Sequence, residues 1–260
     1  MKHIQEFFIF GLKEAQASIF AGSFFVLLFL SNHLPLFGLA RYDFLFLAAV
    51  GIQIILYLTK LETKDEIKVI FLFHVIGFAL EAYKTHPSIG SWSYPEEGLF
   101  KIADVPLYSG FMYAAVGSYL AQAWKIFKAE LTSYPSYISS LLIGIIIYIN
   151  FFTNHFIQDI RFVLIPLIFI FFWKTKFLFT VTTKRRSIPL GIAFMLIAFF
   201  IWIAENISTY LGAWKYPDQI HAWQVVSFQK ISSWFLMVII SFIIVAYLKH
   251  VKRYRVSKPI

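Results

Sequence analysis

The stretch Gly90–Pro95, with the sequence GSWSYP, recurs 122 positions later as Gly212–Pro217, with the sequence GAWKYP. Glycine, tryptophan, tyrosine and proline occupy the same four positions in both copies. A glutamate at the end of an apolar run precedes each copy, Glu81 before the first and Glu205 before the second. Repeats of this kind are common in membrane proteins built from two similar halves, so the match predicts an internal duplication.

The composition predicts that this duplication lies in a membrane. Of the 260 residues, 59% are hydrophobic, 14% are charged and 31 are phenylalanine. A soluble domain does not hide that much apolar surface. Several apolar stretches reach the ~17–25 residues that a helix needs to cross the hydrocarbon core. We therefore predict an all-α, polytopic transmembrane helical bundle without a separate soluble domain.

The apolar stretches predict about eight spans, built as a tandem duplication of four. They lie near residues 15–37, 43–60, 66–84, 106–128, 136–154, 160–181, 187–208 and 231–249. Shifting the chain by 122 to 124 positions places the first four on the last four. The predicted halves are therefore 1–130 and 131–260 of one membrane domain. Lys174 and Lys176 interrupt the sixth span, which leaves open whether it crosses fully.

The distribution of basic residues predicts the orientation. With eight spans, one side of the membrane holds 17 of the 23 lysines and arginines, and the opposite loops hold six. Because basic residues favour the cytoplasmic side, both termini are expected there and loops 85–105 and 209–230 outside. The net charge of +9 is then explained by these loops and a basic tail on lipid headgroups, so no nucleic-acid partner is expected.

Glu81 and Glu205 are the main candidate catalytic residues. A carboxylate at the edge of an apolar helix is costly unless it is paired or hydrated. Two such groups near each other would divide the work, one as a proton donor and the other as a base or cation-stabilising charge. The structural alternative is that each glutamate only reaches the outer interface, where a lysine or tyrosine holds it.

His33 and His155 are assigned to assist the glutamates. Each follows an asparagine, and both are predicted at the same membrane face as the glutamates. Asp159 lies four residues after His155, so one helical turn would let it orient that ring. Two histidines and two glutamates also form a ligand set for zinc or iron, but no His-x-x-x-His pair supports it. We predict no metal, and the structural alternative is histidines that hydrogen-bond across the bundle.

The repeated aromatic residues are candidates for binding a substrate. Their faces would line a pocket for an apolar or cationic ligand, together with three polar residues nearby. Strand alternation would place Trp92 and Tyr94 on one side. The alternative is interfacial anchoring, which tryptophan and tyrosine favour. The full predicted set is Trp92, Tyr94, Trp214, Tyr216, Tyr113, Asn154 and Asn206.

The fourth span carries small residues at helical spacing, namely Gly110, Ala114 and Ser118. Small residues let helix backbones approach closely, so this spacing predicts a tight helix-packing face.

Four segments carry a resemblance to a known family. They are GSWSYPE from Gly90, VPLYSGFMY from Val105, NFFTNH from Asn150 and IAENI from Ile203. With them the chain resembles the YoaT-like bacterial integral membrane family, a domain of unknown function, over nearly its whole length. The resemblance implies a multi-pass protein of the bacterial inner membrane and brings no established activity.

A looser likeness connects the chain with membrane carotenoid-modifying enzymes, the lycopene cyclases and carotenoid hydratases. Those enzymes also carry glutamates and Gly/Trp/Tyr-rich turns at helix ends. Here Glu96 and Glu97 follow Pro95 directly, whereas the cyclase-type Pro-x-Glu-Glu spacing is absent.

These observations favour an enzyme that acts on a lipid or isoprenoid in an extracytoplasmic pocket. The alternatives are a transporter or lipid-binding protein without catalysis, which uses the same face, and an assembly protein without a ligand. Membrane lipid and an apolar small molecule are the expected partners, and the cofactor is unknown. No Walker, Gly-x-Ser-x-Gly or His-Glu-x-x-His motif is present, which argues against ATP-driven machines and known serine hydrolases.

Overall fold

The computed structural model describes residues 2–251, and this part of the chain is mostly helical. Its α-helices are α1 Lys2–Ala17, α2 Ile19–Ser31, α3 Arg41–Leu58, α4 Lys64–Thr85, α5 Tyr108–Ile126, α6 Tyr137–Thr153, α7 Arg161–Phe171, α8 Leu190–Tyr210 and α9 Lys230–Ala246. Its strands are β1 Lys101–Ile102, β2 Val105–Pro106, β3 Glu130–Thr132, β4 Lys176–Thr180 and β5 Arg185–Pro189. Most of the predicted basic tail lies outside the described residues.

Three helices are long and apolar enough to cross a membrane. They are α3, α8 and the continuous helix Lys230–Lys249, which contains α9. A fourth candidate arises if α1 and α2 count as one broken span, bent by 71° where they meet. Helices α2 to α9 lie at the positions of the eight predicted spans. The helical prediction is therefore confirmed, and three to four helices qualify as membrane spans by length and composition.

The first predicted span, 15–37, is wrong at both ends. A break separates α1 from α2 after Ala17, and α2 ends at Ser31. Downstream, Pro35 and Gly38 lie in the turn that leads to α3, and Gly38 adopts the left-handed φ of +82°. Proline disfavours helical backbone at the residue before it, and glycine tolerates this φ. Neither residue therefore allows the helix to continue to residue 37.

The sixth predicted span, 160–181, is also wrong in its second half. Helix α7 ends at Phe171 and the chain continues as β4, which pairs antiparallel with both β3 and β5. Phe177 and Phe179 lie two residues apart and therefore on one face of the strand, where they contact Trp124 and Phe127. Aromatic packing on one strand face thus replaces the helix that the apolar pattern predicted.

The chain divides into two compact units, and each combines segments from both predicted halves. Unit 1 contains residues 1–19, 117–201 and 228–260, and unit 2 contains residues 20–116 and 202–227. In unit 1, α9 packs against α6 and α7. Of the most apolar 18-residue stretch of the helix Lys230–Lys249, 61% is buried. The predicted boundary near residue 130 stays a prediction.

Unit 2 holds α3, α4, most of α2, the first turns of α5 and the end of α8. Its core is aromatic around the fully buried Tyr42 and Tyr108, whose ring centroids are 5.2 Å apart.

Helix α4 begins with a capping box, in which Thr63 Oγ1 accepts from the Glu66 amide and Glu66 Oε2 accepts from the Thr63 amide. Such caps satisfy orphan amide groups and define where a helix begins.

Helices α4 and α5 pack closely in unit 2. A Cβ atom on Gly110 would lie 2.8 Å from the backbone oxygen of His74, and one on Gly77 would overlap the Tyr113 ring. Ala114 is fully buried in the same face of α5. The predicted small-residue packing face is therefore confirmed, and its partner is α4.

This contact predicts that Gly110→Ala destabilises the protein. The added methyl group has to displace a backbone carbonyl as well as the His74 ring, and such overpacking costs about 1–3 kcal/mol. Gly51→Ala is the matched control, because a Cβ atom at this helical glycine in α3 meets nothing within 4 Å. Unfolding of the detergent-solubilised protein should show a loss for Gly110→Ala and an unchanged or higher stability for Gly51→Ala. Equal behaviour of both variants would contradict the close approach.

Candidate functional site

Glu81 lies near the end of α4 and is 3% exposed. Its Oε2 accepts hydrogen bonds from Trp92 Nε1 at 2.6 Å and Tyr94 Oη at 2.7 Å. Its Oε1 accepts from Tyr113 Oη at 2.6 Å. The side chains of Trp92 and Tyr94 thus point to the same side, as strand alternation predicts. Three donors at these distances satisfy a carboxylate that burial removes from water.

Glu205, in the last turns of α8, is equally buried. Tyr216 Oη donates to Glu205 Oε1 at 2.5 Å, and Trp214, two residues before Tyr216, is also buried. The Tyr216 ring meets that of Trp92 edge-on, with centroids 6.1 Å apart. Both glutamates therefore belong to one group of side chains in unit 2. We call it the Glu81–Glu205 cluster; its members are Glu81, Trp92, Tyr94, Tyr113, Glu205, Trp214 and Tyr216.

The two tyrosines in the loops report the electrostatics of the cluster. The pKa of Tyr216 lies well above its usual value because of burial, then because of the negative charge of Glu205, with a smaller effect from Glu81. The pKa of Tyr94 is raised by burial and then by Glu81. Since one tyrosine responds to both carboxyl groups, the two glutamates share one electrostatic environment. Both hydroxyl groups remain protonated donors at neutral pH.

The turns that carry the aromatic residues have matching backbone geometry. Gly90 has φ +60° and Gly212 has φ +75°, values that glycine adopts without strain. The residue after each glycine donates its amide to the carbonyl three residues beyond the glutamate, Ser91 to Lys84 and Ala213 to Ser208, both at 2.9 Å. The two turns are therefore equivalent in structure as well as in sequence.

The turns also pair with each other. The Ser93 amide donates to the Lys215 carbonyl at 2.9 Å, and the Lys215 amide donates to the Ser93 carbonyl at 3.0 Å. These two residues occupy the same position in the repeated element. When equivalent residues contact each other reciprocally, the contact is isologous and lies on a local two-fold axis.

Arg41, at the start of α3, holds the second turn in place. Its guanidinium donates to the carbonyls of Leu211 at 2.6 Å and Gly212 at 3.1 Å. The same group forms a 2.6 Å ion pair with Glu96, and its Nε donates to Ser31 Oγ. Only 10% of the Arg41 side chain is exposed, so this residue links three segments inside unit 2.

Asp43 performs a similar task for the loop after the first turn. Its two oxygens accept from the backbone amides of Leu99 and Phe100, each at 2.8 Å. Tyr108, two residues past the β1–β2 hairpin, donates to the carbonyl of Ala213. Asp43 and Tyr108 are thus positioning residues for the loops around the cluster.

The structure does not bring His33 to the glutamates. Its ring is exposed and stacks on Phe29, and its Nδ1 donates a hydrogen bond to the Phe29 carbonyl at 2.8 Å. Asn32, its neighbour, donates to the Leu211 carbonyl at 3.0 Å instead. The ring therefore turns back along α2, and the role assigned to His33 beside the glutamates stays a prediction.

Asn206 also lies outside the hydrogen bonds to the glutamates. Its Oδ1 accepts from the Val226 amide at 2.9 Å and its Nδ2 donates to the Trp202 carbonyl at 2.8 Å. The bond to Val226 ties the 211–229 loop to α8, and the bond to Trp202 lies within α8. The role assigned to Asn206 in binding a substrate stays a prediction.

The other predicted residues belong to unit 1. Asp159 accepts from Asn150 Nδ2 at 3.1 Å, forms an ion pair with Arg161 and has a lowered pKa because these hydrogen bonds outweigh its partial burial. His155 is exposed and Asn154 is half-buried. These contacts give Asp159 the task of ordering the turn into α7. The catalytic role of His155 and Asp159 stays a prediction.

Sequence reasoning missed Arg41, Asp43 and Tyr108 as parts of the site. Arg41 and Asp43 lie two residues apart in charge-poor sequence, and a second Asp/Arg pair lies near the start of α7. That recurrence is the signal that points to them. Within residues 2–251, no three His, Cys, Asp or Glu side chains are grouped so as to hold a metal ion.

Comparison with known proteins identifies the family. A model of the family described as protein of unknown function (DUF817) matches residues 6–242. The chain belongs to the DUF817 family. It is similar to the uncharacterized protein YoaT of Bacillus subtilis (strain 168), with 50% identity over 258 residues, covering 99% of this chain and 97% of that protein. No solved structure matches the chain.

The comparisons confirm the resemblance to the YoaT-like family. They do not show the looser likeness to carotenoid cyclases and hydratases. DUF817 is described as a family of unknown function.

The geometry predicts graded effects of substitutions at Glu81. Glu81→Ala removes the carboxylate that accepts from three donors, two of which are buried, and should lower the free energy of unfolding by about 3 kcal/mol or more. Glu81→Gln keeps one oxygen for Trp92 and Tyr94, while the Tyr113 hydroxyl turns to accept from the amide, so about 1–2 kcal/mol is expected. Denaturant unfolding followed by tryptophan fluorescence measures both.

Glu97→Ala is the matched control for this series, because Glu97 is exposed in the same loop region. We expect its stability to stay within about 0.5 kcal/mol of the unmodified protein. An equal loss for Glu81→Ala and Glu97→Ala would show that the three hydrogen bonds carry no stability.

Proposed function

We propose that this DUF817 protein is a membrane-embedded enzyme that acts on a lipid or isoprenoid, with Glu81 and Glu205 as its acid/base pair. The observation that carries the proposal is the Glu81–Glu205 cluster, in which two carboxyl groups share one aromatic environment inside a single compact unit. We assign the role of proton donor to one carboxyl group and the role of base to the other, which is how paired carboxyl groups divide acid/base work.

The aromatic partners suit an apolar substrate that develops positive charge. Trp92, Tyr94 and Tyr216 place one indole N–H and two hydroxyl groups, each on an aromatic ring, beside the carboxyl groups. Ring faces stabilise cations, and carboxylates do so more strongly in a desolvated site. Isoprenoids react through carbocations, so this substrate class matches the cluster. His33 has no part in the proposal, because its exposed ring packs on Phe29.

A second candidate, a transporter or lipid-binding protein without catalysis, is favoured by one observation. The carboxyl group of Glu81 is already held by three of the protein's own side chains. In a catalytic cycle at least one of these bonds has to give way to the substrate, whereas a binding protein keeps them all. The two candidates therefore differ in whether Glu81 is needed for turnover or only for the shape of the site.

For the architecture we propose the tandem duplication, with eight spans in halves 1–130 and 131–260. Three features support it. They are the left-handed glycines at equivalent positions, the backbone hydrogen bonds donated by the amide after each glycine, and the reciprocal pairing of Ser93 with Lys215. We also propose that the protein lies in the bacterial inner membrane with both termini in the cytoplasm. The excess of basic residues in the loops assigned to that side supports this orientation.

The orientation predicts which positions are labelled from outside the cell. The chain contains no cysteine, so single-cysteine variants report one position each. Ser88→Cys and Ala222→Cys, both in exposed loop positions, should react with a membrane-impermeant maleimide in intact cells. Thr183→Cys, in the exposed turn before β5, should react only after permeabilisation. The reverse pattern would contradict the proposed orientation, and labelling of all three from outside would contradict the span count.

The catalytic proposal is tested by turnover of lipids. Purified protein is reconstituted with a total bacterial lipid extract and linear polyprenyl lipids, and products are followed by mass spectrometry. Glu81→Gln and Glu205→Gln should each lower product formation by about 100-fold or more, the usual contribution of a general acid or base. Glu97→Gln should leave it unchanged, and thermal unfolding checks that every variant is folded at the assay temperature.

The same experiment separates the alternatives. Lipid retained by the purified protein without conversion identifies the non-catalytic binding protein. Unchanged turnover in both glutamine variants contradicts the acid/base roles. Neither retention nor conversion of any lipid class overturns both candidates and leaves a purely structural cluster.

A further inference from the structure

Helix α1 presents three charged side chains, Glu6, Lys13 and Glu14, to the protein. Glu6 pairs with Arg186, with Oε1 3.1 Å from Nε. Lys13 Nζ donates to the carbonyl of Thr180 at 3.1 Å, and Tyr119 Oη donates to Glu14 Oε2 at 3.0 Å. Phe10, between them, contacts Phe127 and Phe179. All these partners belong to unit 1, so one face of α1 is fixed to this unit by polar contacts.

The opposite face of α1 is mostly apolar, and no part of residues 2–251 covers it. Ile4 is 63% exposed, Phe7 72%, Phe8 66% and Leu12 66%. Their spacing of three and four residues places them on one side of the helix. Gly11 and Ala15 lie on the same exposed side, and the exposed Gln5 and Gln16 lie at its edge. The helix is thus inverted with respect to a surface helix of a soluble protein, since Glu6, Lys13 and Glu14 face inward whereas Phe7 and Phe8 face outward.

An inverted face of this kind indicates lipid as the surrounding medium. Four large apolar side chains in water would forgo the ~1.5–3 kcal/mol that burial of each supplies. Helix α1 alone is unsuited to cross the hydrocarbon core, because charged residues lie along its whole length and it spans only about 24 Å. A helix with one apolar face and charges on the other lies in the plane of the membrane interface.

Charge at the same end of unit 1 indicates which lipid. Lys128 follows the Phe127 that α1 contacts, and Lys184 and Arg185 precede the Arg186 that pairs with Glu6. Lys128, Lys184 and Arg185 are exposed, although Arg185 also pairs with Glu130. Basic side chains next to a membrane surface gain about 1 kcal/mol each from anionic headgroups.

We propose that α1 is an interfacial helix that lies along an anionic bilayer surface. Its apolar face, formed by Ile4, Phe7, Phe8 and Leu12, enters the boundary between headgroups and acyl chains. Lys128, Lys184 and Arg185 form a basic rim that contacts lipid phosphates. Unit 1 thereby binds the lipid surface through α1, independently of any reaction at the Glu81–Glu205 cluster.

The proposal is tested by the depth of spin labels in the full-length protein. Nitroxides are attached to Ile4→Cys, Phe8→Cys and Leu12→Cys in the cysteine-free chain, reconstituted in vesicles with one third phosphatidylglycerol. Collisions with oxygen, which concentrates in lipid, are compared with collisions with a water-soluble nickel complex. All three labels should favour oxygen and lie at one depth, whereas a label at the matched control Thr183→Cys should favour nickel several-fold.

Three other outcomes would overturn the proposal. Nickel-dominated collisions at all three positions would place the face in water. Different depths for positions 4 and 12, which are about 12 Å apart along the helix, would mean that α1 crosses the membrane. Spin–spin broadening with low access to both reagents would mean that a second copy of the chain covers the face.

The basic rim has its own test. In vesicles of phosphatidylcholine alone, the labels at Phe8 and Leu12 should lie closer to water than in the anionic vesicles. The double variant Lys184→Gln/Arg185→Gln should remove this difference. Equal depths in both lipids for the unmodified rim would overturn the assignment of an anionic surface.

Discussion

The arrangement of unit 2 depends on the burial of one carboxyl group. Glu81 is almost completely removed from water, so both of its oxygens need donors within the protein. Those donors come from a loop and from α5, which ties the Trp92–Tyr94 turn and the Tyr113 side chain to the end of α4. Once this turn is held there, its backbone pairs with the equivalent turn and brings Tyr216 and Glu205 alongside.

Much of this cluster could be predicted from the sequence, because the signal is repeated. A glutamate at the end of an apolar run followed by Gly-x-Trp-x-Tyr-Pro occurs twice, and the repeat selects the side chains that converge. The packing face of α5 was predictable for a related reason. Small residues at helical spacing leave room for another helix, and Gly110 lies against His74 in that way.

The residues that were missed act through the backbone. Arg41 binds carbonyl groups of residues 170 positions away, and Asp43 binds amide groups of a loop. Every residue carries a carbonyl, so such partners leave no mark in the sequence. The prediction that the sixth span continues beyond Phe171 failed for a different reason. Its apolar composition suits a helix and a buried strand equally, and only the pairing of β4 with β3 and β5 decides between them.

The contact between Gly77 and Tyr113 restricts how unit 2 can move. The Tyr113 ring lies against Gly77, while its hydroxyl group reaches Glu81, one turn further along the same helix. A shear of α5 along α4 would therefore drive the ring into the next side chain of α4 and break the bond to the carboxylate together. The positions of α4 and α5 are therefore coupled. A substrate that opens the cluster has to tilt both helices as one body or swing the loop of Trp92 away from them.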